Sequence, residues 1–355
     1  IIYNDNTLEG KEKLELLRNL TFNENTNLKK ALQYSEELIN LSKTLNNDEY
    51  LFHGYFQKGN KKRITGDLEE AIEAYFQAAE IAKKIKRKDH EGSVYSTIAD
   101  VYSITNNHKN SMHYYHKAIA TLKKSDAEIS LASVILNAGD ALLSKKEYDS
   151  ALVYFKESSA IFEKENYNIG KAYNLGNIGM VYANLGQNQL AEKNITEAVN
   201  ILEKSEDYYA VSVYLLSMAD IYVEKGDYDS ALAYAQKSLD LGKKHGLKEQ
   251  MSEANLKLSQ LHETNGNSMV SLQHFKDHVA YRDSLNNIKT VQSIADMRTD
   301  YEVSQKQVEV NLLNQQKRNQ LIILGFTGVL LITLFWYYKS ISKEKKKSDN
   351  LLLNI

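Results

Sequence analysis

Gly226-Asp-Tyr-Asp-Ser-Ala231-Leu-Ala-Tyr234 pairs a turn former and a polar residue with a small residue that opens an apolar run. Stepping away from Ala231 by forty residues meets Ala191, Ala151, Ser111, Ala71 and Ala31 on one side and Ser271 on the other, and all seven are small. Twelve residues ahead of this column lies a second: Asn19, Gly59, Ala99, Gly139, Gly179, Ala219 and Ser259. Five residues ahead lies a third, mainly turn formers: Thr26, Gly66, Asn106, Lys146, Gly186, Gly226 and Gly266. Four residues after the first column come Ser35, Tyr75, Tyr115, Phe155, Ile195, Ala235 and Phe275, most of them bulky.

A fixed period of this length marks stacked repeats. Each unit reads as a helix, a short turn and a second helix. Small residues on both helices let the backbones approach, and the bulky residues one turn further on are expected to fill the gap to the next unit. Each hairpin can bury its apolar face only against its neighbours, so several must stack. The expected fold is therefore all-α, a superhelical solenoid of about seven 40-residue hairpins over residues 12–287, with a lead-in at 1–11. The chain contains no proline, which fits helices joined by tight Gly and Asn turns.

Tyr222-x3-Gly226-Asp-Tyr-Asp-Ser-Ala231 and Tyr182-x3-Gly186-x4-Ala191 resemble the tetratricopeptide family. The usual period there is about 34 residues. A period of forty implies longer helices, as in the kinesin-light-chain-like and peptide-sensing bacterial relatives. The family's terminal proline is missing from every unit. The resemblance covers about residues 12–285 and is strongest in the middle five units, the outer two being degenerate as capping units often are.

Helical repeats bind along the face that the first helix of each hairpin lines. One column there reads Asn60, Asp100, Asp140, Met180, Asp220 and Gln260; three residues earlier it reads Gln57, Thr97, Asn137, Asn177, Ser217 and Lys257. Asn60, Thr97, Asp100, Asn137, Asp140, Asn177, Asp220 and Gln260 form the candidate groove for a peptide or protein partner. Its amides both donate and accept, and its three aspartates suit a basic ligand. No catalytic residue, cofactor or metal site is expected. The chain has no Gly-rich phosphate loop, no GxSxG and no HExxH, and with no cysteine it has no thiolate chemistry. His274 and His278 stand four apart on one helix, and His108, His113 and His116 cluster near a turn; packing and surface roles are expected for both groups. A formal net charge of −2 and a pI near 6.6 argue against nucleic acid.

Leu321–Tyr338, LIILGFTGVLLITLFWYY, is eighteen residues without a charge. As a helix it is about 27 Å long, close to a hydrocarbon core of about 30 Å, and Trp336, Tyr337 and Tyr338 stand where interfacial aromatics do. A single transmembrane helix over 321–338 is expected. Lys339, Lys343, Lys345, Lys346 and Lys347 follow it, whereas only Lys306, Lys317 and Arg318 precede it closely. That excess predicts a cytoplasmic C-terminus and extracytoplasmic repeats at a bacterial inner membrane. Gly325 and Gly328 lack the GxxxG spacing of a dimerisation face. In the juxtamembrane stretch 288–320, Ile294, Tyr301 and Val308 recur every seven residues beside Val291 and Leu312, consistent with a short dimeric coiled coil or a single extended helix.

Residues 339–355 read as a basic cytoplasmic helix running towards an output domain. Ser348-Asp-Asn-Leu-Leu-Leu-Asn-Ile355 resembles the helix that precedes the catalytic domain of bacterial class III adenylate/guanylate cyclases. Met297-Arg-Thr-Asp-Tyr-Glu302 resembles the juxtamembrane linker shared by repeat-bearing histidine kinases, transcription regulators and those cyclases. The resemblance implies a homodimeric receptor whose repeats sense a ligand and whose cyclase lies beyond the chain. A histidine-kinase output and a membrane-anchored scaffold without output are the alternatives.

Overall fold

The structure is a computed structural model that describes residues 8–24, 27–283, 315–320, 327 and 333–343. Contacts divide the chain into two units, Ile1–Ala295 and Asp296–Ile355. The first unit is entirely helical among its described residues. Its hairpins are α1 (Gly10–Asn23) with α2 (Leu28–Thr44), α3 (Asp48–Thr65) with α4 (Leu68–Lys84), and α5 (Lys88–Ile104) with α6 (His108–Leu122). They continue as α7 (Glu128–Ser144) with α8 (Tyr148–Lys164), α9 (Asn168–Asn184) with α10 (Asn188–Lys204), and α11 (Tyr208–Glu224) with α12 (Tyr228–His245). α13 (Lys248–Thr264) pairs with helical residues 268–283.

The helix ends follow one rule. Gly66, Asn106, Lys146, Gly186, Gly226 and Gly266 all have φ between 62° and 83°, the left-handed conformation that closes a helix. In each turn the next amide reaches back to the last helical turn: Asp67 N donates to Lys62 O at 2.9 Å and Gln187 N to Tyr182 O at 2.8 Å. A second set, Asn46, Lys86, Asn166, Glu206 and Gly246, does the same between hairpins. The left-handed residues thus recur every twenty positions. Among the described turns past α2, the one after Leu122 departs from the rule, and there Ser125 Oγ donates to Leu122 O at 2.8 Å.

The small columns lie where the two helices of a hairpin touch. A Cβ on Gly59 would meet the Tyr75 ring at 2.5 Å, one on Gly139 would meet Phe155 at 2.7 Å, and one on Gly179 would meet Ile195 at 2.6 Å. The bulky column therefore sits on the small residue of its own first helix, where the gap to the next unit had been expected. Tyr75, Tyr115, Phe155 and Ile195 are buried there. Buried hydroxyls brace hairpins from within: Ser158 Oγ donates to Ala132 O at 2.8 Å across α7 and α8, and Ser238 Oγ donates to Ser212 O at 3.0 Å across α11 and α12.

Beyond its partner and the helix before it in sequence, each first helix packs on another first helix: α1 on α3, α5 on α7, α7 on α9, α9 on α11 and α11 on α13. That closer approach makes the first helices the inner face of the coil, as repeat stacking requires.

In the second unit, residues 315–320 and 333–343 are helical and exposed. Among the described residues no helix is long and apolar enough to cross a membrane. Most of the expected span 321–338 lies outside the described residues, as do the seven-residue seam from Val291 to Leu312 and the stretch Ser348–Ile355.

Candidate functional site: the inner face

α5 and α7 bring the densest part of the polar ladder together. Burial raises the Asp100 carboxyl above its ordinary range and the charge of Asp140 adds to this; hydrogen bonds from Tyr115 and Asn137 and the charge of Arg63 work the other way. The Tyr115 bond is short, with the hydroxyl donating to Asp100 Oδ1 at 2.6 Å. Burial also raises Asp140. Its tip meets water, yet protein crowds it on most sides, as in the wall of a trough, and the crowding sets the direction. Asp100, Asn137 and Asp140 therefore form one electrostatic group near Arg63, with Asp100 half-buried and Asp140 exposed.

The remaining ladder residues have separate roles. Asn60 Oδ1 accepts from the Tyr75 hydroxyl at 2.9 Å, so half of its amide serves its own hairpin. Thr97 Oγ1 donates to Ser93 O at 3.1 Å, a bond back to its own helix. Asn177 is buried and accepts from the Tyr214 hydroxyl at 2.8 Å, which ties α9 to α11. Asp220 is ion-paired with Lys257 of the neighbouring first helix, so the third aspartate is already neutralised. Gln260 is exposed near the last hairpin. His274 Nδ1 is bonded to Asn255 Oδ1 at 2.9 Å, and His278 is buried with Nδ1 bonded to Ser252 O at 2.9 Å.

Among the described residues several hollows open beside the first helices; one of about 300 Å³ between α9 and α11 is lined by Met180, Ser217, Asp220 and Glu224 among others, and two are mostly apolar. One of about 460 Å³ lies between α1, α3 and α5 and is lined by Arg18, Phe22, Phe52, His53, Phe56 and His90 among others. Another of about 280 Å³ lies beside Asn137 and is walled by Leu136, Phe162, Tyr167, Ile169 and Tyr173. Mostly apolar hollows with a few placed polar groups are the usual form of a ligand site. Sequence columns did not single out the aromatic hollow, because its walls come from three repeats at unmatched positions; the run Phe52-His53-Gly-Tyr55-Phe56 was the available signal.

This geometry defines an all-α solenoid of tetratricopeptide-like helical hairpins, and residues 130–204 and 168–244 match the tetratricopeptide repeat family. The chain is similar to response regulator aspartate phosphatase I of Bacillus subtilis (strain 168), 26% identical over 204 residues, covering 57% of this chain and 51% of that protein. It spans about half the length of that curated relative. In fold it resembles a solved Rap protein complexed with competence and sporulation factor, with a TM-score of 0.61 at 16% identity over 82% of this chain and 79% of that one. It also resembles aspartyl phosphate phosphatase F from Bacillus subtilis, with a TM-score of 0.52 at 16% identity over 82% and 88%.

Proposed function

We propose that this chain is the recognition and membrane-anchoring part of a bacterial signalling receptor. In this reading the repeats hold an extended basic peptide, or a similar segment of a protein partner, along the inner face. The observation that carries the reading is the pair of crowded carboxylates, Asp100 and Asp140, in a trough with amide neighbours. A lysine, arginine or N-terminal amine of the ligand supplies the charge that two such carboxylates lack. Asn137 bonds the ligand backbone, and the aromatic hollow takes an apolar side chain. That a Rap protein of the same fold was solved complexed with competence and sporulation factor supports ligand binding on this scaffold.

The test is selection from a random peptide library on the purified chain. Enrichment of Lys and Arg is expected, and Asp100→Asn and Asp140→Asn should each weaken the selected peptides about tenfold or more, since a charged hydrogen bond contributes about 1.5–3 kcal/mol. Binding without any charge preference, or binding indifferent to both variants, would sink the groove assignment.

Leu321–Tyr338 anchors this domain in the inner membrane, with the repeats outside and the lysine-rich end inside. Exposed Leu334, Phe335, Trp336, Tyr337 and Ile341 on the helical residues 333–343 support a lipid-facing surface. The receptor works as a homodimer, and a class III nucleotide cyclase is the favoured output, on the resemblance of Ser348–Ile355. Cyclic nucleotide production by the intact gene product, measured with and without residues 12–287, checks the relay. Equal output from both forms refutes it, and a frame ending soon after Ile355 favours the scaffold instead.

A further inference from the structure

Away from Asp100 and Asp140, one cluster among the described residues has the composition and spacing of a metal site. Glu49 and His53 are four residues apart on α3 and share a face. His90 comes from the first turn of α5, 41 positions from Glu49. His90 Nε2 lies 3.2 Å and His53 Nε2 3.8 Å from Glu49 Oε1. One ligand atom from each residue fits within 4.8 Å of the other two. Tetrahedral zinc, with bonds of about 2.0–2.2 Å, sets its ligand atoms roughly 3.3–3.6 Å apart, so small side-chain rotations close the site.

The surroundings favour an ion. His90 Nδ1 faces Asp89 Oδ2 at 3.3 Å, the carboxylate behind a ligating imidazole that fixes its ring. Arg87 grips both Asp89 oxygens, Nε to Oδ1 at 3.0 Å and Nη2 to Oδ2 at 2.7 Å, which fixes that carboxylate in place. Arg87 Nη1 also lies 3.3 Å from Glu49 Oε1, but a carboxylate has lone pairs for a guanidinium and an ion together. Glu49, Asp89 and Arg87 sum to one negative charge with the imidazoles neutral. Phe52 stacks on His90 with centroids 4.3 Å apart and meets His53 edge-on at 5.3 Å, so both rings are held by packing.

We propose that Glu49, His53 and His90 bind a divalent transition metal ion, zinc by its ligand set, at the rim of the aromatic hollow. Three protein ligands leave a fourth position open, and because His53 and His90 also line the hollow, that position is available to water or to a donor atom of a molecule lodged there. The ion joins the first helices of consecutive hairpins. The site stands whether or not the inner face binds a peptide.

The experiment uses the 355-residue chain in mild detergent, stripped with a chelator and then titrated calorimetrically with zinc chloride alone. One ion per chain is expected at micromolar affinity or tighter. His53→Ala and His90→Ala should each weaken it by at least about 100-fold, since outer-sphere changes alone reach about 10–100-fold. His274→Ala, a control drawn from the His274 and His278 pair, should leave it unchanged. His53→Asn and His90→Gln keep more volume beside Phe52 and serve if the alanine variants lose their helical circular dichroism. Cobalt substituted for zinc should give the intense visible bands of a four- or five-coordinate ion. The absence of saturable binding, affinity unchanged in the His53 and His90 variants, or a hexaaqua-like cobalt spectrum would each overturn the site.

Discussion

Asp100 and Asp140 are ionisable groups placed where ionisation is costly, and their folded pKa values are raised by burial. A carboxylate raised in this way binds its proton more tightly folded than unfolded. Its charged form therefore costs stability, increasingly so as pH rises past the ordinary carboxylate range, and costs nothing below it. Asp100→Asn should accordingly raise the melting temperature at neutral pH and leave it unchanged near pH 3, while weakening ligand binding; the same change at exposed Asp140 should alter it less. A rise of equal size at both pH values would mean that burial of charge is not the cause. The polar ladder was legible as a column because the repeat period is constant. Which members are already engaged was not, since Asn60 is held by Tyr75, 15 residues away, and Asn177 by Tyr214, 37 away. Glu49, His53 and His90 were illegible for the same reason: only the first two share a local spacing.

Helix ends are the elements that set the register. The column running from Gly66 to Gly266 could be read from its Gly and Asn chemistry. Its companion at Asn46, Lys86, Asn166, Glu206 and Gly246 mixes turn formers with charged residues and lapses after Leu122, so its composition announced it less clearly. Lys86, Lys146 and Glu206 sit at φ 60°, 62° and 58°, where a Cβ is strained by roughly 1–2 kcal/mol. Lys146→Gly and Glu206→Gly should each stabilise the fold by about 0.5–1 kcal/mol in urea melts, the gain being cut by the looser unfolded chain; destabilisation would show that the side chains carry packing. Gly179→Ala should act in the opposite sense. Its new Cβ would stand 2.6 Å from Ile195 Cγ1 and 3.2 Å from the Ala191 carbonyl, and a backbone atom has little room to retreat. A loss of about 1–3 kcal/mol is expected, the usual cost of overpacking. An unchanged urea midpoint would mean that the α9–α10 hairpin is looser than drawn.

At the scale of the repeat unit, every packed helix pair lies at most two helices apart in the chain. Removing residues 168–207, one whole hairpin, joins Tyr167 to Tyr208 in the same register. The shortened chain should keep its helical signal per residue and melt at a lower temperature, because stability in stacked repeats is nearly a sum over units and seams. Removing 168–187, a single helix and turn, should abolish cooperative melting, since it inverts the alternation of inner and outer helices. Similar melts for the two deletions would rule out the hairpin as the unit. The all-α repeat order was readable throughout this region, whereas the inner hollows were not, since their walls emerge only when helices of successive hairpins are stacked. Neighbour-only packing also has a mechanical side. A coil braced only from one turn to the next behaves as a soft spring, and a small rotation at each seam adds along its length. A molecule that fixes the angle between α5 and α7 therefore changes the distance between the two ends of the coil, and that distance is something a downstream partner can measure.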